Sequence, residues 1–188
     1  MSHALVIGGT GMLRSAVAEL LNTFDKVSVA ARSNNGFEKL KKLAKKESSK
    51  LNFIQIDYNN YGELTKSLIK AISDHGEISL AILWIHSSAK LAPVITAKVI
   101  NETSPQCNFF EVLGSAFSDP ASVAQSREDE FSEFSNINYH KVILGFIIEP
   151  VGSRWLLNKE ISAGVMTAVR NDIKDHVVGV SRPWEMRP

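Results

Sequence analysis

The stretch from Ala4 to Leu21 constrains the fold more than any other part of this 188-residue chain. Ala4 to Ile7 is a short apolar run, long enough for one buried strand. Gly8, Gly9 and Gly11 follow at once, and then Met12, Leu13, Ala16, Val17, Leu20 and Leu21 recur at helical spacing. Strand, glycine turn and helix, in that order, give a glycine pattern its meaning. Glycines permit the tight turn and let the backbone approach a pyrophosphate, while the helix start offers unpaired N–H groups. Gly8, Gly9, Thr10, Gly11, Met12, Leu13 and Arg14 are therefore the first candidate nucleotide-binding residues.

The alternation continues downstream. Lys26 to Ala31, Leu51 to Ile56, Ile78 to Ile85, Asn108 to Leu113, Lys141 to Ile148 and His176 to Val180 each read as strands. Between them lie helix patterns. One is marked by Phe37, Leu40, Leu43 and Ala44, with Lys39, Lys41, Lys42, Lys45 and Lys46 on its solvated side. The next is marked by Leu64, Leu68, Ile69 and Ile72 and closed by Gly76, and another by Leu91, Val94, Ile95 and Val99. Asn158 to Arg170 is the last. Asp119-Pro120 reads as a helix start, and the acidic stretch from Arg127 to Glu133 reads as a surface segment. Strands alternating with helices specify βαβ units, hence an α/β fold with a single doubly wound parallel sheet, a Rossmann fold with helices on both faces. No repeat or linker interrupts it, so residues 1–188 are expected to form one domain.

Composition narrows the functional classes. A formal net charge of +1 gives no electrostatic argument for nucleic acid or an anionic membrane as partner. Cys107 is the only cysteine, which excludes an intrachain disulfide or a cysteine-based metal site, and no metal is expected. The start Met-Ser-His-Ala lacks a basic leader, and a reduced, cytoplasmic setting is the expectation.

Ligands on doubly wound sheets sit at the carboxyl ends of the strands. The second strand ends in Ala31-Arg32-Ser33, where folds that prefer NAD place a carboxylate on the ribose. A guanidinium and a hydroxyl suit a 2′-phosphate instead, so NADP is the expected cofactor. The third strand ends in Asp57-Tyr58, the fourth in His86-Ser87-Ser88-Ala89, the fifth in Gly114-Ser115-Ala116 and the sixth in Glu149-Pro150-Val151-Gly152.

The spacing Gly8-x-x-Gly11-x-x-Arg14 resembles the Gly-x-x-Gly-x-x-Gly turn of the short-chain dehydrogenase/reductase family, in its extended and atypical branches. Arg14 replaces the third glycine, which normally permits close helix–strand packing, so the helix is expected to be pushed outward or the charge aimed at the ligand. The resemblance implies that Asp57 meets the adenine. It also implies that Ser87 and Ser88 lie near the cofactor ribose, that Ser115 polarises a substrate carbonyl and that Pro150 stands beside the nicotinamide. His86 is a candidate proton donor or substrate contact, and an ordinary hydrogen-bonding residue is the competing reading.

One departure limits the resemblance. Carbonyl-reducing members use Tyr-x-x-x-Lys on a helix. Here the residues four places after Tyr58, Tyr61 and Tyr139 are Gly62, Thr65 and Ile143. Two readings stay open. The chain is an NADP-dependent oxidoreductase with a non-standard proton donor, His86, Ser87, Ser115, Tyr139 or a water, acting on a small molecule. Alternatively it is a non-catalytic NADP(H)-binding sensor or regulatory protein. The helix interface through which family members assemble includes the degraded segment, which leaves homo-oligomer formation open.

Overall fold

The computed structural model describes residues 1–114, 117 and 127–188. Its strands are β1 (His3–Ile7), β2 (Lys26–Ala31), β3 (Leu51–Gln55), β4 (Ile78–Leu83), β5 (Cys107–Leu113), β6 (Ile137–Leu144), β7 (Phe146–Ile148), β8 (Ser153–Trp155) and β9 (Asp175–Val178). Its helices are α1 (Arg14–Leu20), α2 (Asn34–Ala44), α3 (Tyr61–His75), α4 (Ala92–Thr103) and α5 (Asn158–Arg170), and residues 127–131 form a further short helical segment.

Seven strands form one sheet in the order β3-β2-β1-β4-β5-β6-β9, every neighbouring pair parallel. The order reverses between β1 and β4, which opens a crevice at the carboxyl ends of those strands. Side chains alternate between the faces, so each strand feeds two cores. Ala4 and Val6 pack with α1, α2 and α5, whereas Leu5 and Ile7 pack with α3, α4 and the segment that carries Phe131 and Phe134. The helices start where the sequence supplies caps. Ser33 Oγ accepts from Gly36 N–H at the start of α2, and Asn60 Oδ1 from Glu63 N–H at the start of α3. Gly76, at φ 88°, ends α3.

Several expectations change. The run 141–148 is not one strand. At Gly145 a Cβ would lie 2.1 Å from the Val180 carbonyl oxygen, so the chain bends there and continues as the antiparallel β7–β8 hairpin. The last strand stops at Val178, because Gly179 takes φ 78° to bring the chain against Phe146, with which Val180 exchanges two 2.9 Å backbone hydrogen bonds. The segment 127–133 is not a bare surface. Phe131 is buried and stacks on Tyr139 with ring centroids 4.3 Å apart, and Arg127 reaches Glu111 of β5. Its charges concealed an apolar anchor. Leu43 and Ile69, assigned to helix faces, are exposed because each lies at the edge of its stripe, and Leu91 is exposed because it precedes α4 as its N-cap. The Asp119-Pro120 helix start lies outside the described residues.

Candidate functional site at the carboxyl ends of the strands

The glycine turn occupies residues 8–13 between β1 and α1. Gly8 has φ 80°, donates to the Ala30 carbonyl at 2.9 Å, and leaves no room for a Cβ, which would lie 2.4 Å from the Trp84 carbonyl oxygen. Gly9 serves a different end. A Cβ there would press on Val17, Val6 and Val29 at 2.8–3.1 Å, so this glycine lets α1 close onto the sheet. Gly11 is exposed, and a Cβ on it would meet nothing within 4 Å, so the turn faces open space at this point.

Arg14 neither pushes the helix away nor extends from the turn. Its Nε donates to the Thr10 carbonyl at 3.0 Å, and Nη2 donates to the same oxygen. The guanidinium thus fastens the turn from within, while Ala16, Val17 and Leu20 of α1 remain buried. Leu13 is fully buried, and the Met12 carbonyl accepts from Ser162 Oγ of α5 at 2.7 Å. The helix was expected to begin near Met12 and begins at Arg14, because residues 8–13 are used by the turn.

The neighbouring strand ends converge on this turn. Arg32 is exposed at the end of β2, with its guanidinium carbon 6.0 Å from the Tyr58 ring centre. Ser33 is committed as the α2 cap but keeps its hydroxyl proton to donate. Gly36 allows α2 to come in close, since a Cβ there would lie 3.0 Å from the Thr10 side chain. Asp57 Oδ1 accepts from Asn59 N–H at 3.0 Å and Asn59 Nδ2 at 2.8 Å, and these two hydrogen bonds hold its carboxyl below the ordinary range. Tyr58 is buried, and its Oη accepts from His86 N–H at 3.4 Å. Tyr58 therefore links the end of β3 to the loop after β4.

His86, Ser87 and Ser88 are exposed on that loop. Ser88 N–H donates to His86 Nδ1 at 3.3 Å, so in the neutral ring Nε2 carries the proton. Behind the loop lies a cavity of about 990 Å³, walled by Trp84, Ile85, Leu91, Pro93, Val94 and Leu113 among others and reached by His86 and Ser87. The Trp84 backbone backs onto Gly8, and its ring lies 3.5 Å from where a Gly114 Cβ would stand. One residue thus connects the glycine turn to the cavity.

The cavity also contains a group the sequence reading passed over. Glu111 lies in the middle of β5 and is 3% exposed. Its Oε1 accepts from Arg127 Nη2 at 2.6 Å and its Oε2 from Tyr139 Oη at 2.7 Å. Burial pushes the Glu111 carboxyl upward, and the adjoining Arg127 charge and Tyr139 hydroxyl pull against it. Burial and the Glu111 charge push the Tyr139 phenol up, and it is not among the cavity's lining residues. A lone carboxylate inside the apolar run Asn108-Phe-Phe-Glu111-Val-Leu113 was the available signal, because a buried charge requires a partner. Pro150 occupies the exposed tip of the β7–β8 hairpin, which pairs with itself and not with the main sheet. Ser115 lies outside the described residues.

No family model matches this chain, and no curated protein does. Solved structures match it over nearly their whole length. A short-chain type dehydrogenase/reductase from Mycobacterium marinum superposes with a TM-score of 0.75 at 15% identity, over 95% of this chain and 93% of that one. A short-chain dehydrogenase/reductase from Serratia marcescens gives 0.71 at 14% identity, over 96% and 98%. A betaketoacyl-[ACP] reductase from Bacteroides thetaiotaomicron gives 0.70 at 14% identity, over 95% and 96%. At this identity the likeness is one of architecture, and the chain has the fold of short-chain dehydrogenase/reductase structures.

Proposed function

We propose that this protein is an NADP(H)-dependent oxidoreductase of short-chain dehydrogenase/reductase type, built on a single domain and acting on a small molecule. The observation that carries the reading is the convergence at the β1–β4 crevice. The open face at Gly11, Arg32 at the end of β2 and His86 at the mouth of the cavity all meet there. The exposed turn suits a pyrophosphate, since no side chain fills the space over Gly11. Arg32 and Ser33 suit a 2′-phosphate, through charge-assisted and hydroxyl hydrogen bonds. Asp57 and Tyr58 flank the adenosine end, and Ser87 and Ser88 the nicotinamide ribose.

Such a cofactor supplies or accepts a hydride, and the protein must orient the reactants and manage the proton. His86 is the group for that second task. Its Nε2–H is the ring donor left once Ser88 has fixed Nδ1 as an acceptor. Tyr139 is not, because its hydroxyl is spent on Glu111. That same bond is the observation in favour of the second reading, a non-catalytic NADP(H)-binding protein. A survey of small carbonyls, quinones and flavins with NADPH separates the two.

Paired calorimetric titrations with NADPH and NADH test the cofactor assignment. A charge-assisted contact to the phosphate is worth about 1.5–3 kcal/mol, roughly 10- to 150-fold in affinity. Arg32→Ala should weaken NADPH by that factor and leave NADH nearly unchanged, and Arg32→Glu should go further. Equal binding of the two cofactors by the parent protein would overturn the assignment.

A further inference from the structure

The formal net charge of +1 conceals a segregation along the chain. Residues 26–50 carry eight lysines and arginines against two glutamates, whereas the rest of the chain carries 13 against 18. The segment comprises β2, α2 and the 3₁₀ turn Lys45–Lys50, and it leads into β3, the outermost strand of the sheet, so it forms one edge of the molecule. α2 buries Phe37, Leu40 and Ala44 and turns its lysines outward. Lys41 pairs with Glu38 and Lys50 with Glu47. Lys39, Lys42, Lys45 and Lys46 are exposed and have no carboxylate partner among the described residues. Like charges this close in the chain repel one another, and an anionic partner relieves that repulsion. Lys39, Lys42 and Leu43 share a face by their spacing of three and four, and Leu43 is 46% exposed there. Lys45 takes φ 51°, a conformation in which glycine is usual, so a charged side chain stands at this corner at a cost in backbone strain.

We infer that this edge of the molecule docks on an anionic lipid surface, with Lys39, Lys42, Lys45 and Lys46 among the headgroups and Leu43 against the acyl boundary. The residue types select this partner over a nucleic acid. Phe37, the only aromatic residue in the segment 26–50, is buried and stacked on Phe53, so no ring is offered to an unpaired base. Arg32, the segment's only arginine, stands at the crevice, so the lysine face has no fork with which to grip a base edge or a phosphate bidentately. Lysines are point charges on flexible stems, which suits a diffuse layer of headgroups. The inference is independent of the oxidoreductase reading, since none of these four lysines belongs to the proposed cofactor site.

Cosedimentation of the full chain with vesicles tests this. The two compositions are phosphatidylcholine alone and phosphatidylcholine mixed with phosphatidylserine. A lysine near an anionic surface is worth roughly fivefold in partitioning, so the mixed vesicles should bind the protein about 10²–10³-fold more tightly than the neutral ones. Binding should vanish toward about 1 M salt, where the Debye length falls to about 3 Å. The variant Lys39→Gln/Lys42→Gln/Lys46→Gln should weaken binding to the mixed vesicles by roughly 10²-fold, and its melting temperature checks that it is folded. The variant Lys66→Gln/Lys98→Gln/Lys159→Gln removes the same charge from exposed positions on α3, α4 and α5 and should bind as the parent does. The inference is overturned if the two kinds of vesicle bind alike, if the first variant keeps the parent's affinity, or if the second loses as much as the first. It is overturned in favour of a nucleic acid if poly(U) RNA, at equal phosphate concentration, displaces the protein from the mixed vesicles.

Discussion

His86 is the residue on which the chemistry of the proposed site turns. Its Nδ1 is occupied by the Ser88 N–H at 3.3 Å, and its backbone N–H is held by Tyr58. The ring is thus oriented by neighbours that do not compete for Nε2. His86→Gln should lower turnover of a reducible substrate by about 10²–10⁴-fold if the imidazole transfers a proton. NADPH affinity should stay within a few-fold. Steady-state kinetics together with calorimetry check this, and an unchanged turnover would reduce His86 to a hydrogen-bonding residue. Tyr139→Phe gives the converse test. Its phenol is bonded to Glu111, so its removal should leave turnover within a few-fold. A thousandfold loss would make it the proton donor.

At the scale of elements, the firmest anchor of the segment 127–134 is aromatic. Phe131 packs between Phe109, Phe134 and Tyr139 and is 2% exposed. Phe131→Ala should cost roughly 3–5 kcal/mol in urea unfolding, the usual range for a buried phenylalanine. On the opposite face α5 meets β9 through Gly164. A Cβ there would lie 2.5 Å from both methyl carbons of Val178, a β-branched side chain with little freedom to move. Gly164→Ala should therefore destabilise by about 1–3 kcal/mol, although alanine in place of glycine ordinarily favours a helix by about 1 kcal/mol. A gain in stability would show that α5 can shift on the sheet.

For the molecule as a whole, acid stability draws on two buried histidines, on β1 and on β6. His3 on β1 is fully buried, with Nδ1 2.8 Å from the Gly76 carbonyl and Nε2 2.8 Å from Ser28 Oγ. Burial pushes its pKa below 6.5, the Gly76 hydrogen bond opposes this, and His75 and Lys26 nearby lower it further. Burial likewise lowers His140, which stacks on Phe110 at 4.2 Å, with the Ile173 carbonyl and Asp172 opposing. In both cases the unfolded chain binds a proton more readily than the folded one. Stability from these groups is then full above about pH 6.5 and falls as the pH drops below it. Urea midpoints between pH 7.5 and 5 should decline, and His3→Gln should flatten the decline. A midpoint that does not change over that window would show that neither ring stays neutral in the folded state.

The order of strands and helices from β1 to β5 and the glycine turn were written in local patterns. Apolar runs, helical spacing and caps such as Ser33 and Asn60 depend on neighbours a few positions apart, and so could be read from Ala4 to Arg170 without coordinates. What only the tertiary structure decided depends on distant residues meeting. Gly145 looked like a strand interior until Val180 was found against it. The acidic run 127–133 looked solvated until Arg127 met Glu111, sixteen positions earlier in the chain. Charge and polarity announce themselves in a sequence, but whether a charge faces water or a buried partner depends on packing between segments that the chain order keeps apart.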